Sequence, residues 1–217
     1  MMMTTTTAMI FTSTQRRDPQ PLPKTRPKTI VSTFLAFLHP DIQDTVIKMT
    51  NLKVEGRARA PDGWRGMDRT WLRAYLGLLI LSGIYRSRGE ACESLWDPNT
   101  GRPLLRSSMS LKTFRAYCSV LRFDDRRTRQ SRRRIGSDKL AAVRHVWDLW
   151  RTRLPEMYVP GPDVTVDERL VPFRRRCPFR QYMPNKPARY GLKIWVACDA
   201  KSSYTWQMQM YLGNPDN

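Results

Sequence analysis

Apolar positions recur at two different spacings along this chain. Between Asp68 and Arg86, the residues Trp71, Leu72, Tyr75, Leu78, Leu79 and Ser82 fall three or four apart, the stripe of a helix. Asp68 is placed to cap that helix. Its middle is apolar nearly all round, which predicts the buried centre of a helical region. An earlier helix starts at Pro40 and Asp41, a first-turn proline and an acid near the positive end, with Ile42, Val46 and Met49 following at helical spacing. Ser110 suits the N-cap of a third helix whose buried face is Leu111, Phe114, Cys118 and Leu121, and Ser137 that of a fourth carrying Leu140, Val143, Trp147, Trp150 and Leu154. Asn51 to Gly66 and Trp96 to Pro103 are polar or turn-rich and separate these helices.

After a boundary at Pro155 to Pro162 the spacing changes to two. Val164 and Val166 share one face of a strand, and Thr165 and Asp167 share the other. Leu192 to Cys198 predicts a second strand, Asp199 to Ser203 its turn, and Tyr204 to Tyr211 a third. The expectation is an α+β protein in three parts. Residues 1–33 form a disordered basic arm, interrupted by Pro19, Pro21, Pro23 and Pro27. Residues 34–160 form a helical region, and residues 161–217 hold three antiparallel strands.

Charge narrows the partner. The net charge of +19 and the pI near 10.5 point to a polyanion, with nucleic acid as the first candidate. The four cysteines (Cys92, Cys118, Cys177 and Cys198) show no paired C-x-x-C spacing, and there are only two histidines, so no zinc site is legible. Cys118 and Cys198 are expected as reduced core residues. The longest apolar run, Leu76 to Ile84, is far short of the ~20 residues of a membrane span. No membrane or small-molecule partner is expected.

Two stretches concentrate cations. Arg122, Arg126, Arg127, Arg129, Arg132, Arg133 and Arg134 form the densest basic run. Few apolar residues interrupt it, so it is expected as a loop or disordered excursion, serving as a phosphate clamp, a nuclear import signal or simply a solvated segment. The second stretch follows the first strand, where Arg174, Arg176, Arg180, Lys186, Arg189 and Lys193 are the candidate DNA contacts. Pro178, Pro184 and Pro187 could equally brace that loop. Asp167 and Glu168 precede it. An acid in mid-strand runs against strand propensity, and an acid beside a basic loop suits a divalent cation next to phosphates. Glu168 should face away from Asp167 and pair with an arginine.

The segments Thr165–Leu170 (TVDERL), Arg176–Ile194 (RCPFRQYMPNKPARYGLKI), Cys198–Ala200 (CDA) and Tyr211–Gly213 (YLG), with the Met109–Asp125 pattern, resemble the piggyBac-type DDE transposases and their domesticated derivatives from about Phe34 to Asn217. The resemblance implies a helical dimerisation and DNA-binding region followed by an incomplete RNase H-like fold. It makes Asp167 the first of three catalytic, metal-binding aspartates, with the other two beyond Asn217. Asp199 is expected to form a turn and Asp216 to lie in a frayed end. Arg175 stands where the family commonly has Gly. The implied function is a nuclear, transposon-derived DNA-binding protein, with a homodimer as a further expected partner. Mg2+ or Mn2+ would be used only if a complete site is assembled, and none is expected for this chain alone. Two alternatives stay open: an active metal-dependent transposase, and a host protein-interaction module.

Overall fold

The computed structural model describes residues 9–12, 29–136 and 138–213. In chain order these form β1 (Met9–Thr12), α1 (Ile30–Phe37), α2 (Pro40–Glu55), α3 (Arg69–Ile84), α4 (Cys92–Trp96), α5 (Pro103–Ser108), α6 (Leu111–Val120), α7 (Arg126–Gly136), α8 (Arg144–Met157), β2 (Asp163–Pro172), β3 (Arg180–Tyr182), β4 (Tyr190–Asp199) and β5 (Thr205–Met210). They divide into two compact units: His39–Val146, and Met1–Leu38 together with Trp147–Asn217. In this division α1 and most of α8 go with the sheet.

The helical unit starts where its capping residues say it should. Pro40 opens α2, the Asp68 carboxylate accepts from Trp71 N at 2.8 Å, and Ser110 Oγ accepts from Thr113 N at 3.2 Å. Asn51 pins the loop that follows α2 by bonding both N and O of Met67, at 3.0 and 2.9 Å. The core is aromatic. Tyr117 is fully buried, with its ring against Trp64 at 5.4 Å, Tyr75 at 6.0 Å and Trp71 at 6.3 Å. Trp96 packs on Phe114 and donates its indole N–H to Met109 O at 2.7 Å.

Three helices depart from expectation here, α3 and α6 because tertiary packing uses a narrower or rotated face, α8 in its bounds. In α3, Leu72, Tyr75 and Leu78 are buried, but Leu79, Ile80 and Ile84 are 42%, 49% and 69% exposed. The apolar stripe is wider than the arc its neighbours cover. In α6 the buried set is Thr113, Phe114, Ala116, Tyr117 and Val120. Seating the large Tyr117 ring inward leaves Cys118 exposed, contrary to its expected place in the core. The fourth helix begins at Arg144 rather than just after Ser137, with Leu140 and Ala141 buried in the turn before it. That helix runs through Pro155 and ends at Met157, inside the expected boundary of Pro155 to Pro162.

The basic run is also not a loop. Arg126 to Gly136 is helix α7. Arginine is a good helix former, and two acids precede this helix at its positive end. Asp124, 7% exposed, binds Arg129 and Arg132, and Asp125 binds Arg127. Arg132 also reaches Ala141 O at 2.9 Å.

In the sheet unit β4 is central. β2 lies antiparallel along one edge, while β5 and the short β3 pair with the other. The three expected strands are β2, β4 and β5. β3 is an addition, as is β1, which pairs with the outer edge of β2 from within the expected disordered arm. The rest of that arm lies outside the described residues. Asp167 stands opposite Val196 and Glu168 opposite Trp195, so the two acids occupy opposite faces. Ile194 and Val196 are 6% and 7% exposed. Gly191 is required where β2 and β4 meet: an added Cβ would strike Val171 O and come within 2.8 Å of Leu170 Cγ. Near one end of the sheet Tyr204 donates to Leu154 O at 2.8 Å, and its ring meets Tyr158 at 4.5 Å and Phe37 at 6.3 Å.

Candidate functional site

The site is built on adjacent strands β2 and β4 and on the loops that surround β3. Regular pairing from Val164 to Pro172 fixes which way each acid faces. Asp167 is exposed, and among the described residues its Oδ1 accepts only from Glu168 N, at 2.7 Å. The carboxylate therefore keeps lone pairs for a cation. Arg169, two residues on along the same face and about 7 Å away, is exposed too; it was not singled out from the sequence.

The neighbouring acids are already committed. Glu168 Oε2 lies 2.6 Å from Lys193 Nζ, a pair only 17% and 19% exposed at the side chains. Lys193 also lies over the Trp195 ring at 4.4 Å and the Tyr211 ring at 5.4 Å. The expected Glu168–arginine pair is thus a Glu168–lysine pair, made across the strands. A phosphate would have to compete with Glu168 for Lys193.

Asp199 is buried, 2% exposed. It accepts from Ser202 Oγ at 2.6 Å, Ser202 N at 2.7 Å, Gly161 N at 2.6 Å and Tyr158 OH at 3.2 Å. These donors, Ser202 foremost, outweigh burial and hold its carboxyl well below the usual carboxylate range. Asp199 does shape the expected turn, and it also ties the segment before β2 to the end of β4. Asp216 lies outside the described residues. Among the described residues no three His, Cys, Asp or Glu side chains converge as a metal group would need. Asp167 fits as one oxygen ligand of a hard divalent cation, and such ions take several.

The loops around β3 present most of their cations outward. Arg174, Arg176, Arg180 and Arg189 are exposed and Lys186 is half-buried. Arg180 Nη1 donates to Arg174 O at 3.1 Å and its guanidinium lies 5.0 Å from the Tyr190 ring, which stacks near Tyr182 at 4.8 Å. Tyr182 and Tyr190 are 54% and 48% exposed, giving an aromatic and cationic surface. Arg189 has a positive φ of 49° and its carbonyl accepts from Met183 N at 2.7 Å. Its backbone therefore closes the turn while its side chain stays outside.

The α7 arginines divide differently. Arg127, Arg129 and Arg132 hold Asp125 and Asp124, so a phosphate would have to compete with those acids. Arg126 is exposed. Arg133 and Arg134 are in the last turns of the helix, and their side chains lie outside the described residues.

A protein-family model described as Transposase IS4 matches residues 29–217. A solved piggyBac transposase, from a synaptic complex with hairpin DNA, superposes with a TM-score of 0.79 at 31% identity over 85% of this chain. The chain belongs to the piggyBac-type family of DDE transposases. It spans 38% of the length of that solved chain. In this piggyBac-type protein the helices and the antiparallel sheet are the α+β arrangement expected, and β2, β4 and β5 belong to an RNase H-like fold. No described helix is long and apolar enough to cross a membrane.

Proposed function

We propose that this protein is a transposase-derived, nuclear DNA-binding protein that holds duplex DNA without completing strand transfer by itself. The observation that carries the reading is the exposed cationic and aromatic surface of Arg174, Arg176, Arg180, Tyr182, Arg189 and Tyr190 on the same sheet as Asp167. Arginines of this kind bind phosphates and guanine edges, and exposed tyrosines offer faces to bases. Asp167 is the family's first metal-binding aspartate in this reading. A bound Mg2+ or Mn2+ would activate a water or a 3′-hydroxyl and stabilise the leaving oxygen. One carboxylate does not assemble such a centre, and Glu168 and Asp199 are engaged elsewhere.

The test is binding of the purified chain to a labelled duplex across a salt series, with and without magnesium, repeated with Asp167→Ala. The expected result is affinity that falls steeply with salt and is indifferent to Asp167 and magnesium. Absence of salt-sensitive binding overturns the reading. Magnesium-dependent nicking that disappears in Asp167→Ala supports the second reading, an active transposase, which the uncommitted Asp167 carboxylate favours. A fluorescent fusion spread evenly through the cell would overturn the nuclear assignment.

A further inference from the structure

A second cluster of cations lies in the helical unit, where two distant segments are clamped together. Thr50 of α2 is fully buried. Its hydroxyl accepts from Arg122 N at 3.1 Å and donates to Arg122 O at 3.4 Å. One turn further along α2, Lys53 Nζ donates to Ser119 O at the end of α6, at 2.7 Å. Arg122 Nη1 donates to Leu121 O at 2.7 Å. The α2 and α6 ends therefore bring Lys53 and Arg122 together, each aimed by a neutral carbonyl that orients it without cancelling its charge. Arg57 follows one turn after Lys53, Arg126 opens α7, and both are exposed.

The two acids that follow Arg122 are spent: Asp124 is taken by Arg129 and Arg132, and Asp125 by Arg127. Glu55, the last residue of α2, is the other acid close in sequence and is exposed to solvent. Lys53 consequently sits among Arg122, Arg57 and Arg126. Burial first, then repulsion from Arg122, Arg57 and Arg126, brings its ammonium down to about 8. Arg122 is lowered in the same direction, by burial and by Arg129, Arg126 and Arg57. A fold that holds cations against their mutual repulsion gains most from an anion placed among them. Fixing the side chains beforehand also reduces the ordering lost on binding.

We propose that Lys53, Arg57, Arg122 and Arg126 form a phosphate-binding site for the backbone of duplex DNA, separate from the β3 loops. This inference rests on the DNA-binding reading above. The site takes phosphates and reads no bases. It raises affinity for any sequence, and the β3 loops are left to discriminate between sequences.

The test is fluorescence anisotropy of the full chain with a labelled random-sequence duplex across a salt series. The site variant is Lys53→Gln/Arg57→Gln/Arg126→Gln. A charge-matched control removes three exposed cations elsewhere in the same unit, Lys48→Gln/Arg88→Gln/Arg106→Gln. Loss of three phosphate contacts lowers the slope of log affinity against log salt by about 2.7. The expected result is that loss in the site variant and nearly none in the control. Equal losses in both, or no loss in the site variant while the wild type binds, overturn the site alone. A wild type that binds no duplex overturns the DNA-binding reading and the site with it.

If the triple variant does not fold, Arg57→Gln/Arg126→Gln changes only exposed positions and is expected to lower the slope by about 1.8. NMR titration of the Lys53 ammonium gives an independent readout. Bound phosphate is expected to raise its titration midpoint from about 8, so duplex affinity falls as pH rises past 8. An unmoved midpoint at saturating duplex overturns the site.

Discussion

Replacing Tyr117 separates what its ring does from what its hydroxyl does. The ring is fully buried among Trp64, Trp71 and Tyr75, and the hydroxyl donates to Arg65 O at 3.2 Å. Tyr117→Phe keeps the ring and leaves Arg65 O without that donor, which should lower stability by about 1 kcal/mol. Tyr117→Ala removes the ring and leaves a cavity, at about 3–5 kcal/mol, and it also forfeits three edge-on ring contacts. Urea unfolding followed by tryptophan fluorescence measures both, since Trp64 and Trp71 border the site. The wild type should also respond to alkali differently from either variant. Burial pushes the Tyr117 phenol up to about 12, against about 10 when unfolded. A raised folded value means that stability is intact below pH 10 and is lost as pH rises from there towards 12. Phenylalanine has no proton to lose, so the deficit of Tyr117→Phe should shrink above pH 10. Equal losses for Phe and Ala, or a Phe deficit unchanged at pH 11, would refute this account of the core.

Two more predictions concern the sheet unit. Asp199→Asn should lower the urea midpoint at neutral pH, because an amide NH2 cannot accept from Ser202 N or Gly161 N. The wild-type carboxyl is held below its unfolded value, so its stabilisation is present above about pH 4 and fades as pH falls further. The two proteins should converge in acid, and parallel curves would count against the tether. Gly191→Ala places a Cβ against Val171 O and Leu170 and should cost about 3 kcal/mol, read as a lower thermal midpoint; an unchanged midpoint would mean that β2 and β4 are not packed this closely.

Features carried by neighbours in sequence were legible beforehand. Asp68, Ser110 and Pro40 mark helix starts because a cap acts within three or four residues. The alternation around Val164 to Asp167 shows which way each acid faces, since strand geometry is local. Features made by distant partners were not legible. Glu168 chooses Lys193 only once β2 and β4 are in register. The helix at Arg126–Gly136 depends on Asp124 being buried beneath it. Lys53 meets Arg122 because Thr50, one turn earlier in the same helix, holds the Arg122 backbone and Ser119 O holds the Lys53 ammonium, and nothing around Lys53 in the sequence announces a cluster. The exposed side of α3 reflects how much of its stripe other helices cover, which its own apolar content does not specify.

The edge position of β1 bears on the order in which the molecule acquires its structure. Met9–Thr12 pairs with a strand that lies beyond the entire helical unit in the sequence. The helical unit is contiguous and its contacts close over shorter loops, so its structure can form first. The strand at the start of the chain waits for β2 to be made. Kinetically, this protein is expected to refold in two phases. The slower phase belongs to the discontinuous sheet, and deleting Met9–Thr12 leaves the fast phase untouched while exposing the β2 edge to pairing with other chains.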